Sequence, residues 1–193
     1  KSANLGLKRA TSDFRIILNS DTVVCKNWAL KMLEVSNINE NIGIVGPLSN
    51  AAGIQSIPRI KSNIKNQTVI NEIPHNVTYE EINKYLEENF SGNVFPEVPL
   101  VHGFCFAIKK KVIDKIGYFD SNNFDRYYGE ENDYCLRAGL EGFRFLIATN
   151  TFVFHKKSKS ISTKERIIHM KKSREKLREI HGVDNIRTKC LQG

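Results

Sequence analysis

Tyr128-Gly129-Glu130-Glu131-Asn132-Asp133-Tyr134-Cys135-Leu136-Arg137 sets three carboxylates within four residues, just behind a glycine and at the start of a helical pattern. Carboxylates in a first helical turn face the positive end of the helix dipole, which favours their ionised form. An ionised carboxylate at the rim of a cleft can act as a general base. The same residues also fit ordinary helix-start chemistry, and Asp133 with Arg137 makes a favourable i,i+4 pair. Two further groups able to do chemistry stand where strands end. Asp21 belongs to the polar cluster Asn19-Ser20-Asp21-Thr22 behind Phe14–Leu18, and His155 follows Phe143–Phe154. The competing readings are a turn-forming aspartate and a hydrogen-bonded strand-end histidine.

The elements that must position these groups alternate between strand and helix. Ser2–Ala10 reads as a short helix, and the β-branched run Phe14–Leu18 as a buried-type strand. In open α/β sheets ligands collect outside the carboxyl ends of such strands. Asn27 is placed to cap a helix over Trp28–Ile38, with Trp28, Met32 and Val35 as its core stripe. Ile42–Pro47 is a second apolar strand, stopped by Gly46-Pro47. Residues 48–77 have weak periodicity and read as a long loop of the functional or mobile kind. Thr78-Tyr79-Glu80-Glu81 is a capping box for a helix to about Phe90, which Ser91-Gly92-Asn93 ends. Val98–Lys109 reads as a strand in which Gly103 signals close approach by a ligand or another backbone. A short helix ending at Ile116-Gly117, the acidic helix Glu130–Leu140 and the strand Phe143–Phe154 follow. The last element is a basic helix over Ser162–His181, with Ile167, Met170, Leu177 and Ile180 as a partial stripe.

The chain is 40% hydrophobic and 26% charged, an ordinary globular balance. It holds no apolar run long enough to span a bilayer and no signal-peptide pattern. Cys25, Cys105, Cys135 and Cys190 form no CxxC pair and no metal-ligand spacing, which suits a reducing compartment. Of the 29 Lys and Arg residues, 12 fall in residues 156–193 beside 4 of the 21 acids, so the whole excess of +8 lies there. A neutral body with a basic tail points to an anionic partner: lipid head groups, a charged glycan or nucleic acid. The tail has no interleaved aromatics and no recognised module, which argues against nucleic acid.

Several motifs stand together in order. They are Asn4-Leu5-Gly6 with Ala10, Ile17-Leu18-Asn19-Ser20-Asp21-Thr22, Gly46-Pro47 and Gly103. Ile116-Gly117-Tyr118-Phe119-Asp120 with Phe124, the acidic stretch through Arg137, and Phe152-Val153-Phe154-His155 complete the set. The ordered set resembles glycosyltransferase family 2, enzymes with the GT-A fold that use sugar nucleotides. The resemblance implies an α/β fold, with a mixed sheet flanked by helices over residues 1–160 and a basic helical tail over 161–193. It also implies that the chain starts inside the domain, without the N-terminal nucleotide-binding half, and that this chain alone binds donor poorly.

By the same resemblance Asn19-Ser20-Asp21 is a variant of the metal motif Asp-x-Asp, with Asp21 and His155 as ligands of Mn²⁺ or Mg²⁺. Aligned on Asp133 and Arg137, the base falls on Glu131, with Glu130 as the other candidate. A helical wheel groups Glu130 with Asp133 and Arg137 and turns Glu131 about 100° away. Asp133 and Arg137 then form a structural or acceptor-orienting pair, and Asn4, Asn19 and Gly103 belong to the substrate side. The implied reaction is a metal-dependent, inverting transfer from a nucleotide-diphosphate sugar to a hydroxyl of a glycan or lipid-linked acceptor. Its implied setting is cell-surface polysaccharide synthesis, in the cytoplasm or at the inner face of the membrane, with residues 156–189 against an anionic surface. The alternative is a non-catalytic glycan- or anionic-lipid-binding domain of the same fold.

Overall fold

Strand side chains that alternate between two buried faces divide the chain into layers. In the computed structural model, which describes residues 2–62, 69–90, 95–124, 128–157 and 163–182, the strands are β1 (Phe14–Leu18), β2 (Thr22–Val24), β3 (Ile42–Leu48), β4 (Cys105–Lys109) and β5 (Arg144–His155). They form one mixed sheet in the order β1-β4-β3-β5-β2. The β3–β5 pair is parallel, and the other three pairs are antiparallel. The helices are α1 (Ser2–Arg9), α2 (Trp28–Ser36), α3 (Tyr79–Phe90), α4 (Lys110–Ile116), α5 (Glu130–Leu140) and α6 (Thr163–His181). Ile44, Phe106 and Ile108 point to one face of the sheet, where Leu7 of α1, Val112 of α4 and Tyr134 of α5 cover them. Val45, Cys105 and Ala107 point the other way onto Met32 and Val35 of α2. Helices on both faces explain why β3 is buried at every position.

The mixed sheet with flanking helices matches the expected α/β class, and the helix starts are largely as read. Thr78 and Glu81 form the capping box: the Thr78 amide and hydroxyl each donate to Glu81 Oε2 at 2.7 Å, and the Glu81 amide donates to Thr78 Oγ at 3.2 Å. The helix end expected at 91–93, the start at Ser162 and Cys190 lie outside the described residues. Cys25, Cys105 and Cys135 are buried thiols, and no disulfide joins them. Among the described residues no helix is long and apolar enough to cross a membrane.

Five expectations need correction. The strand expected over Val98–Lys109 is regular only over Cys105–Lys109, and His102 and Gly103 precede it in irregular and turn backbone. The chain before them is spoken for by β5, since the Val98 amide donates to the Phe145 carbonyl at 3.0 Å. Phe14–Leu18 is half-buried rather than enclosed, because β1 lies at the edge of the sheet. Asn27 precedes α2 in a left-handed conformation and makes no side-chain cap bond, and α2 ends at Ser36. The 48–77 segment is not plain loop: a short 3-10 turn over Gly53–Gln55 and a buried polar network organise it. In α6 only Leu177 of the four stripe residues is buried, while Ile167 and Ile180 are exposed.

Glycine is required at one of these crossings by space alone. A Cβ on Gly46 would lie 2.4 Å from both Gln55 Nε2 and Val101 Cγ1. Gln55 is fully buried, donating to the Pro47 carbonyl at 2.8 Å and accepting from the His102 amide at 2.7 Å. Gly46→Ala is therefore expected to lower stability by about 1–3 kcal/mol through overpacking, measured as the shift of the urea midpoint.

Candidate active site

The helix α5 begins on two successive left-handed residues, Tyr128 at φ 77° and Gly129 at φ 102°. Gly129 accepts this conformation without a Cβ clash, and there is no room for a side chain, since a Cβ would meet the Phe124 ring at 3.0 Å and Ser173 at 3.1 Å. The turn sends the three acidic side chains of α5 to three environments.

Asp133 is consumed by the fold. Its Oδ2 accepts from Arg137 Nε at 2.9 Å, its Oδ1 meets His181 Nε2 at 2.8 Å, and the residue is 1% exposed. Arg137 also donates to the Ile116 carbonyl at 2.8 Å and the Tyr118 carbonyl at 3.0 Å. The pair thus ties α5 to the α4–α5 connection and to the last turn of α6. Ser173 adds a second tie, its hydroxyl donating to the Tyr128 carbonyl at 2.6 Å.

Glu131 is the carboxylate held near the working range of a base. Burial, then the neighbouring Glu130 charge, push its pKa up to about 7, while the amides of Glu131 and Gly129 oppose the shift. It packs beside Gly103: a Cβ there would touch the Glu131 carboxyl carbon at 3.7 Å. Glu130 Oε2 is buried and has no hydrogen-bond partner among the described residues.

Asp21 and His155 meet through β2, an element too short to show in the sequence. Its ladder sets Thr22 opposite His155, and the Lys156 amide donates to the Asp21 carbonyl at 2.9 Å. His155 Nε2 lies 3.4 Å from Asp21 Oδ1, and Nδ1 lies 3.1 Å from the Ala51 carbonyl. A carbonyl only accepts, so Nδ1 carries a proton and Nε2 is the ring nitrogen that faces Asp21. Burial lowers the His155 pKa, against the opposing pull of the Ala51 carbonyl and Asp21. The 3.4 Å separation of Nε2 and Oδ1 is that of two ligand atoms around one cation, which sit roughly 3–4 Å apart. Among the described residues, however, no group of three or more His, Cys, Asp or Glu could hold a metal.

The two halves of the site are joined through the start of β4. The Asn19 amide donates to the Phe104 carbonyl at 2.8 Å, and the Phe104 ring stacks on His155 with centroids 5.3 Å apart. Gly103, the next residue back, touches Glu131. Asn19 contributes its backbone and keeps an exposed side chain. Asn4 spends its side-chain amide on the backbone of Phe119, donating at 2.8 Å and accepting at 3.0 Å. It braces the turn before Asp120.

Two residues of this region carried no functional reading in the sequence. Asn50 brackets the His155 backbone, accepting from its amide at 2.8 Å and donating to its carbonyl at 3.2 Å. Burial is the main cause that lowers the His102 pKa to about 4, with the nearby Lys157 charge second. The polar tract around Asn50 is visible in the sequence, but its partner stands 105 residues away. Asn50→Ala is expected to lower stability by about 1–3 kcal/mol, since it takes the side-chain partner from the part-buried His155 amide. The shift of the urea midpoint would measure it.

No protein-family model matches the chain. Over 166 residues it is 24% identical to the chondroitin synthase of Escherichia coli, an alignment covering 79% of this chain and 24% of that protein. The chain therefore spans about a quarter of the length of this relative.

Proposed function

We propose that this chain is the acceptor-side part of a glycosyltransferase of family 2, with the GT-A fold, acting in polysaccharide synthesis. It would move a sugar from a nucleotide-diphosphate sugar to a hydroxyl of a glycan or lipid-linked acceptor. The observation that carries this reading is Glu131, held near neutrality beside Gly103, on a site edge linked through Phe104 to the Asp21–His155 pair. The likeness to a chondroitin synthase supports the same class. The buried thiols Cys25, Cys105 and Cys135, not joined in disulfides, suit a cytoplasmic setting.

Glu131 takes the proton of the acceptor hydroxyl as that oxygen attacks the anomeric carbon. The bond from the anomeric carbon to the diphosphate oxygen breaks, the nucleoside diphosphate leaves, and one displacement inverts the configuration. Asp21 and His155 would hold Mn²⁺ or Mg²⁺, which when bound offsets negative charge on the leaving diphosphate. Phe104 fixes the His155 ring, and the absence of a side chain at Gly103 keeps the Glu131 carboxylate approachable.

Label transfer by the full-length protein from a panel of uridine-diphosphate sugars to oligosaccharides, with Mn²⁺ titrated, tests the reading. Asp21→Ala is expected to cut transfer roughly a hundredfold and to abolish its dependence on the cation. Transfer unchanged in that variant rules the assignment out. Gly103→Ala separates fold from function. The added Cβ meets Glu131 at ordinary contact distance, so the melting temperature should hold while the acceptor KM rises.

A further inference from the structure

We propose that the groove between the Asn122–Phe124 loop and α6 is a subsite for a carboxylate-bearing sugar unit of the acceptor chain. This rests on the transferase reading above and deepens it. The groove measures about 440 Å³, within the range of sites that enclose a small ligand. His169, Lys172 and Lys176 line one side, and Asn122 and Asn123 the other. Phe124, 9% exposed, also lines it.

The chemistry matches an acidic saccharide in two respects. Ammonium groups one helical turn apart attract a carboxylate, and side-chain amides hydrogen-bond sugar hydroxyls. Among the described residues, the acids beside the groove are already engaged. Asp120 accepts from Asn123 Nδ2 at 2.6 Å and from the Asn122 and Asn123 amides, while Glu179 pairs with Lys176 at 3.0 Å. Among the described residues Lys172 has no ion-pair partner.

Position relates the groove to the chemistry. Its wall residue Ser173 donates to the Tyr128 carbonyl, and Tyr128 and Gly129 lead directly into the helix turn that carries Glu131. The groove wall is thereby tied to the segment that leads into Glu131. The uneven charge of the chain acquires a purpose on the same reading, since the neutral body contributes the catalytic groups and the basic tail contributes the cations that hold the acceptor. A concavity with amide donors fits a saccharide better than a bilayer surface, which presents head groups to an open face.

Calorimetric titration of the whole chain with an unsulfated chondroitin hexasaccharide, and with its carboxyl-reduced counterpart, tests the subsite without any donor present. The acidic form is expected to bind, and Lys172→Ala combined with Lys176→Ala to raise its Kd about tenfold or more. Lys172→Glu should raise it further, and none of these variants should alter the weak binding of the reduced form. Equal affinity for the two saccharides, or a double variant that binds as the parent does, overturns the proposal. So does a double variant that loses only its sedimentation with phosphatidylcholine–phosphatidylglycerol vesicles, because the lysines would then serve a membrane. Carboxylate-dependent binding without sugar transfer would count against the transferase reading and leave the subsite standing. Active transfer with carboxylate-independent binding would do the reverse.

Discussion

Glu131→Gln is expected to lower sugar transfer by about 10²–10⁴-fold while making the fold more stable above neutral pH. Both effects come from the same burial. The folded pKa of about 7 lies above the ordinary carboxylate value of 4.5. Between these values the folded chain holds a proton that the unfolded chain has released, so stability is fully present below the unfolded pKa and lost as pH rises through 7. Glutamine carries no charge to desolvate and should recover on the order of 2–3 kcal/mol at pH 8. Urea denaturation of parent and variant at pH 5 and pH 8 reads this directly: the gap should open only at the higher pH. In the parent, kcat/KM should rise through about pH 7 as Glu131 ionises. Glu130→Gln removes a neighbouring negative charge that helps raise that pKa, and so should move the rise to lower pH. A profile unmoved by Glu130→Gln and full activity in Glu131→Gln would together remove Glu131 from the mechanism.

The largest expected loss of stability belongs to Asp133, two residues further along the same helix. Asp133→Ala takes the carboxylate from Arg137 and from His181, whose side chain is 6% exposed. Breaking a buried ion pair by removing one member costs about 3–5 kcal/mol, toward the lower end here because Arg137 keeps its bonds to the Ile116 and Tyr118 carbonyls. The damage should reach α6, since His181 is one of its anchors, with Ser173 and Leu177 the others. Limited proteolysis should therefore cut at the α6 side sooner in the variant than in the parent. Asp133→Asn keeps the shape and one acceptor oxygen and should fall between the two. If Asp133→Ala instead kept full stability and raised only the acceptor KM, the carboxylate would face substrate rather than the fold.

These two variants mark the boundary between local and long-range information. The helical wheel was enough to separate Glu131 from Asp133, because residues within one helix are related by a fixed rotation. It could not say which face was buried in polar contact, since that depends on His181, 48 residues away. Thr78 and Glu81 made their capping box visible for the same local reason as the wheel, as did Gly117 in ending α4 at φ 76°. By contrast β2 has three residues and no periodicity of its own, and exists through its ladder with Val153–His155. The edge position of β1 and the irregular backbone at His102 and Gly103 depended on strand order in the same way.

By itself, then, the sequence determined the kinds of group present, the succession of strands and helices, and the acidic helix start with Glu131 set apart from its neighbours. Tertiary structure decided which groups meet. It set Asp21 against His155 through a strand of three residues, bracketed His155 with Asn50, and docked the basic helix α6 on α5. Periodicity and capping are properties of neighbouring residues and can be read in order along a chain. Burial, shifted protonation and ligand pairing arise between residues that only the folded sheet brings together.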